Sequence, residues 1–150
     1  MAELKAKLRT DLTAAMKGRQ TTVVATLRMA LAAVTTEEVA GKQARELSDD
    51  EVLRVLTREA KKRREAAEAF DGAGRTELAE RERAEGVVLD GYLPAQLDDA
   101  ELSALVQAAV AESGATGPQQ MGAVMKLVQP QVAGRADGKR VSDEVRRQLS

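Results

Sequence analysis

Apolar side chains recur every three or four residues along almost the whole of this 150-residue chain. Leu4, Leu8 and Leu12 form the first such stripe, and Val141, Val145 and Leu149 form the last. This spacing places the apolar side chains on one face of an α-helix. The chain is also rich in Ala, Leu, Glu, Arg and Lys, which favour helices, so the pattern predicts an all-α protein.

Glycine and capping residues divide this pattern into seven segments. Gly18 is expected to end the first segment, in the C-terminal position that glycine favours. Ser48 with Glu51, and Asp98 with Glu101, have the spacing of a capping box, which satisfies backbone N–H groups at a helix start. The two boxes predict where the third and fifth helices begin.

The stretch Leu93-Pro94-Ala95-Gln96-Leu97 predicts a domain boundary, because Pro94 cannot continue the preceding helix. We therefore expect a four-helix bundle-like domain over residues 1–93 and a small three-helix domain over residues 94–150. A unit of about 55 residues lies near the lower size limit for independent folding, so the second domain is small enough to lean on the first.

The chain lacks most side chains that carry self-contained catalysis. It has no His, Cys or Trp, and its only aromatic residues are Phe70 and Tyr92. Nucleophilic catalysis usually needs a His base, thiolate metal sites need Cys, and no glycine pattern for nucleotide phosphates is present. We predict no catalytic residues, no cofactor and no metal. RNA, if bound, would be recognised by shape and phosphates rather than by base stacking.

The sequence also predicts a cytoplasmic protein without a membrane partner. No apolar run approaches the roughly 20 residues that a membrane span needs. The first residues lack the basic region and apolar core of a secretory signal.

Charge is distributed unevenly, although the net charge is −1. Residues 1–64 hold 14 Lys and Arg against 9 Asp and Glu, residues 65–112 hold 3 against 12, and residues 113–150 hold 6 against 3. Two basic ends are typical of a surface that faces a polyanion. Alternatively, the acidic and basic helices neutralise each other within one bundle.

The sharpest candidate for a binding site is the turn from Gly134 to Arg140, between the last two helical segments. Its two glycines and a helix start just after it can present backbone N–H groups to a phosphate. The alternative is a helix–helix corner whose cations keep it soluble, with Asp137 neutralising them. The predicted nucleic-acid-binding residues are Arg135, Lys139, Arg140 and Lys126.

A second basic strip is predicted on the third helix, opposite the apolar face that carries Leu56 and Phe70. Such a strip can follow a phosphate backbone. Its alternative is a solvated, salt-bridged face, since Glu59 precedes Arg63 by four residues, the favourable order. The strip consists of Arg54, Arg58, Lys61 and Lys62.

Three side-chain groups outside these basic surfaces carry their own expectations. Arg63 projects toward the apolar face, where it could meet an acid of the fourth helix. Met121 and Met125 fit either core packing or an adaptable contact surface. On the fourth helix, we expect a solvated face formed by Glu77, Glu80, Glu82 and Glu85.

Four motifs resemble those of the YqeY-like proteins: Thr26-Leu27-Arg28-Met29, Gly91-Tyr92-Leu93-Pro94-Ala95-Gln96-Leu97, Met121-Gly122-Ala123-Val124-Met125 and Gly134-Arg135-Ala136-Asp137-Gly138-Lys139. That family is similar to the tail of the GatB subunit of Asp/Glu-tRNA amidotransferase, a helical bundle followed by a three-helix unit. The resemblance implies tRNA binding, with Arg135 and Lys139 facing phosphate and Gly122 allowing close approach. The motif residues that it implies are Met121, Gly122, Met125, Gly134 and Gly138.

The resemblance leaves three functional hypotheses. The first is a tRNA-binding accessory module without catalysis of its own. The second is an adaptor that contacts proteins of the translation or amidotransferase machinery. The third is a subunit that completes an amidotransferase, in line with the family label of carbon–nitrogen ligase with glutamine as amide donor.

Overall fold

The computed structural model describes residues 2–150, which contain seven α-helices and no strand, so the predicted all-α class is confirmed. Contacts divide the chain into two compact units, the first ending at Leu93 and the second beginning at Pro94. The helices are α1 (Glu3–Lys17), α2 (Thr21–Glu38), α3 (Asp49–Gly72), α4 (Thr76–Asp90), α5 (Asp99–Ser113), α6 (Met121–Val132) and α7 (Gly138–Leu149). Among the described residues, no helix is long and apolar enough to span a membrane.

The first unit packs α1 to α4 around an aliphatic core. Leu8 of α1, Leu27 of α2, Leu56 of α3 and Leu89 of α4 are all fully buried in it. The most extensive helix pair is α3 with α4. A Cβ atom built on buried Gly86 would lie 3.7 Å from the Cβ of Arg63, so the two helix backbones approach closely at this point.

Two acidic residues join the helix ends of this unit. Buried Glu38 accepts hydrogen bonds from the Lys5 ammonium at 2.8 Å and from the Leu47 backbone N–H at 3.3 Å. Asp49 accepts from the backbone N–H of Leu4 at 2.9 Å, where the free N–H groups of α1 favour an acid. The first turns of α1 and α3 are therefore held together by polar contacts as well as by the core.

The predicted capping boxes are confirmed at both helix starts. Ser48 and Glu51 exchange side-chain and backbone hydrogen bonds at the start of α3, and Asp98 and Glu101 do the same at the start of α5. Replacing such a cap by Ala typically costs about 1 kcal/mol.

The end of the first unit is bound to α1 through Tyr92. The Tyr92 hydroxyl donates to the Asp11 carboxylate, and the Lys7 ammonium lies 4.7 Å from the centre of the Tyr92 ring. Lys7 and the tyrosine hydroxyl lower the pKa of Asp11, while burial and the Asp11 contact raise the pKa of Tyr92. The aromatic ring is thus engaged within the first unit.

The second unit packs α5, α6 and α7 around its own core, which includes Val106, Val124, Val128 and Val145. Gly114 ends α5 in the left-handed conformation, with φ at 71°, and a 3₁₀ turn over Pro118–Gln120 leads into α6. Met121 and Met125 are half-buried and pack against this core, which fits the core-packing alternative.

Candidate nucleic-acid interface

The turn between α6 and α7 is built on one left-handed glycine. Gly134 has φ at 73°, which lets the chain reverse just after Val132, and the Arg135 N–H donates to the Val132 carbonyl at 2.8 Å. Gly138 has no positive φ and begins α7. Only Gly134 of the two predicted glycines therefore needs glycine for its backbone conformation.

The sequence predicts that the helix start after this turn offers its backbone N–H groups to a phosphate. In the structure, a side chain of the turn already caps this helix start. Asp137 caps α7, its carboxylate accepting from the Lys139 backbone N–H at 3.2 Å. The acid expected to neutralise nearby cations thus also satisfies a helix N–H group. A phosphate at this corner would have to displace the carboxylate, bind the other backbone N–H groups of the first turn, or bind side chains.

Two of the predicted cations bind the segment that begins the second unit. The Arg135 guanidinium donates to the Ala95 carbonyl at 3.1 Å, and Arg140 donates to the Leu97 carbonyl at 3.1 Å. Arg140 also pairs with Asp99 at 2.9 Å. The Leu97 N–H in turn donates to the Arg135 carbonyl at 2.8 Å. These contacts make Arg135 and Arg140 anchors of residues 94–97, the linker segment that begins the second unit, although both arginines remain partly exposed.

The other two predicted cations are open to solvent. The Lys139 side chain is 80 % exposed, and its one polar contact within residues 2–150 is a long one, 3.4 Å to Asp143 one turn away. Lys126 lies on the exposed side of α6 and has no ion pair among the described residues. Of the four predicted cations, Lys126 and Lys139 are therefore the two that are open to solvent.

Gly122 and the second basic strip fit their expected roles less well. Among residues 2–150, no atom outside α6 lies within 4 Å of a Cβ built at exposed Gly122, so the expected close approach is not observed. Along α3, Arg58 pairs with Glu37 at 3.3 Å and Lys62 with Glu59 at 3.5 Å.

The remaining members of the strip complete this picture. Lys61 contacts Glu65 at 3.9 Å, while Arg54 is exposed in a groove that Glu37 and Glu51 also line. The strip is accordingly interleaved with acids, which favours the alternative of a salt-bridged face.

Arg63 is the most buried cation of α3, with its side chain only 11 % exposed. Its guanidinium lies 3.1 Å from Glu85 and 3.7 Å from Glu82 of α4, and 3.5 Å from Glu59. The predicted contact with an acid of the fourth helix is confirmed. The predicted solvated acidic face is wrong at Glu82 and Glu85, because both are half-buried against this arginine.

Sequence reasoning did not single out the junction of α1 and α2, where cations lack acidic partners. Lys17, Arg19 and Arg28 are exposed there and have no ion pair among residues 2–150. The signal that would have found them is simple, because residues 12–36 contain no Asp or Glu. Elsewhere in the described part of the chain, no group of three or more acidic side chains is arranged to hold a metal.

The geometry defines an all-helical protein of two units with an exposed lysine, Lys139, in the first turn of its last helix. The model of the family described as Yqey-like protein matches residues 5–149, and the chain belongs to this YqeY-like family. A similar protein from Schizosaccharomyces pombe, the uncharacterized protein C22F3.15, is 39 % identical over 92 residues. That alignment covers 61 % of this chain and 72 % of the yeast protein.

Proposed function

We propose that this protein binds structured RNA, with tRNA as the first candidate, as an accessory module that contacts the phosphate backbone. The observation that carries the proposal is Lys139, an almost fully exposed ammonium in the first turn of α7. Its neighbour in the turn, Arg135, is partly exposed. The resemblance of the family to the tail of GatB supports tRNA as the RNA.

The mode of binding follows from what these side chains can do. Lysine ammonium groups act on phosphates as point charges, without reading bases. Tyr92 is held by Asp11, and half-buried Phe70 lies on α3, so the two aromatic rings do not form a stacking platform. Arg135 and Arg140 serve this site as positioning residues, since they hold the linker carbonyls of Ala95 and Leu97.

The test measures binding of fluorescently labelled tRNA over a series of salt concentrations. Release of about three or four counterions predicts a log–log slope of about −2 to −4 for the natural protein. Lys126→Ala with Lys139→Ala should reduce that slope by about 2, because each neutralised phosphate contributes about 0.9.

The matched control replaces Arg64 and Arg81, exposed arginines without an ion pair among the described residues, by Ala. This variant has the same net charge as the lysine variant and should bind like the natural protein. Absence of binding at low salt, a flat slope, or an equal loss in both variants would refute the proposal.

A further inference from the structure

We propose that the surface where α1 meets α2 is a docking groove for an acidic amphipathic helix of a partner protein. The groove has a volume of about 400 Å³. Its residues all belong to the first unit, whereas the lysines of the RNA proposal belong to the second, so neither inference rests on the other. Its lining residues are Met16, Arg19, Thr21, Val24, Ala25 and Arg28.

The floor of the groove is apolar and open. Met16 is 50 % exposed, one of few large apolar side chains left in solvent among the described residues. Val24 and exposed Ala25 continue the floor along α2. An exposed apolar surface rimmed by polar groups is typical of a protein-binding site.

The rim of the groove carries only positive charge. Arg19 and Arg28 border it, Lys17 precedes it, and none of the three has an acidic partner among the described residues. Elsewhere in the first unit, some exposed cations are paired with acids, such as Arg45 at 2.5 Å and Arg83 at 2.7 Å, whereas Arg64 and Arg81 have no such pair among the described residues. An acidic partner would supply the charges that this stretch of the chain lacks.

Arg19 adds a conformational observation. It has φ at 55°, and it is the only described residue other than glycine with a positive φ. The adjacent Gly18, which could adopt this conformation without strain, has φ at −82°. The left-handed conformation is therefore adopted by Arg19, where it costs free energy, rather than by Gly18. It places a guanidinium at the rim of the groove, where a glycine would place no side chain.

The exposed face of α2 favours a helix as the occupant. Ala25, Arg28, Ala32 and Thr36 lie along this face, which is uncharged apart from Arg28. The 18 residues of α2 extend about 27 Å, room for a partner helix of several turns. The apolar floor favours a partner that has apolar side chains as well as acids, which an amphipathic helix has and a phosphate backbone lacks.

The test uses the full chain and two synthetic, fluorescently labelled 18-residue peptides. One has a leucine stripe flanked by glutamates, and the other has lysine in place of each glutamate. The acidic peptide is expected to bind, measured by fluorescence anisotropy, and the basic peptide is not. Arg19→Glu with Arg28→Glu should weaken binding of the acidic peptide by about tenfold. Arg64→Glu with Arg81→Glu should leave this binding unchanged.

A further variant, Arg19→Gly, separates the role of the side chain from general damage to the fold. It should raise the melting temperature of the protein, because glycine adopts the left-handed conformation freely. It should also weaken binding of the acidic peptide, because the Arg19 guanidinium is lost. A variant that binds less well because it is unfolded would instead melt earlier.

Four results would overturn the inference. The first two are no binding of the acidic peptide at low salt and equal binding of both peptides. The third is a loss of acidic-peptide binding in the Arg64 and Arg81 variant as large as that in the Arg19 and Arg28 variant. The fourth is a loss of tRNA binding in the Arg19 and Arg28 variant as large as that in the lysine variant. Concentration-dependent self-association of the protein, abolished by reversal of Arg19 and Arg28, would assign the groove to a second copy instead.

Discussion

Glu51 shows how several hydrogen bonds on one carboxylate bias its ionisation. Arg45 binds it through both guanidinium ends, and the backbone N–H of Ser48 donates to it as part of the capping box. Arg45, followed by the Ser48 N–H, lowers the pKa of Glu51 to about 2. All of these donors favour the charged form, so the folded protein holds Glu51 ionised well below its ordinary pKa of 4.5.

We therefore predict that Glu51→Gln makes the free energy of unfolding depend less on pH in the acid range. A carboxylate whose pKa is depressed on folding stabilises the protein above its unfolded pKa, and the contribution is lost as the pH falls from about 4.5 toward about 2. Gln keeps the capping box but cannot ionise. Urea unfolding at a series of pH values should show a smaller loss of stability in the variant over this interval.

The control for this prediction is Glu112→Gln, at an exposed position on α5 with no ion pair among the described residues. It should follow the curve of the natural protein. Identical slopes for Glu51→Gln and the natural protein would show that the Arg45 contact does not persist in solution.

At the scale of the element, α3 and α4 meet around Arg63 and Gly86. The missing side chain of Gly86 lets α4 approach the stem of Arg63, and the guanidinium then reaches Glu85 at 3.1 Å. Met29 of α2 also contacts this guanidinium through its sulfur. A buried charge of this kind is expensive to leave unpaired, so its carboxylates and the close helix approach depend on each other.

We predict that Gly86→Ala stabilises the protein by about 0.5–1 kcal/mol, the difference in helix propensity between the two residues. The added methyl group would meet Arg63 at 3.7 Å, an ordinary van der Waals distance. Gly86→Leu should destabilise the protein, because its larger side chain must separate the two helices. Denaturant unfolding measures both changes.

Ala84→Gly, at an exposed position of the same helix, calibrates this prediction. It should cost about 1 kcal/mol by helix propensity alone. A loss of stability in Gly86→Ala would mean that α3 and α4 lie closer together than the 3.7 Å distance indicates.

For the whole molecule, the two units have separate cores. The core of the first includes Leu8, Leu27 and Leu56, whereas the core of the second includes Val106, Val124 and Val145. Polar contacts within the second unit also hold its first residues to α7. Arg140 donates to the Leu97 carbonyl and pairs with the Asp99 carboxylate. Each unit thus has an apolar core built from its own residues.

We expect the fragment 94–150 to fold without the first unit. It should retain its helical circular dichroism spectrum and unfold cooperatively on heating, because its aliphatic core draws on all three helices. Its size of about 55 residues lies near the practical limit, so its melting temperature should be low. A fragment without helical signal would show that the second unit needs the first.

Within this molecule, local sequence patterns predict the features that depend only on residues close together in the sequence. The all-α class follows from stripes such as Val141, Val145 and Leu149, all of which are buried. Ser48 and Asp98 cap the helices that their spacing predicted, since a capping box needs only residues three positions apart.

Gly18 is the instructive local exception. It does follow the last residue of α1, but the left-handed conformation lies on Arg19. The path of the chain into α2 decides which of the two residues takes it.

Only the tertiary structure decides which charges are available to a ligand. Arg135, Lys139 and Arg140 look equivalent in sequence, yet two of them bind carbonyls of a segment about 40 residues earlier and one projects into solvent. Likewise, Lys62 pairs with an acid while Arg28 has none among the described residues. Helix periodicity is written into each segment by itself, whereas the partner of a side chain depends on which distant segment folding brings beside it.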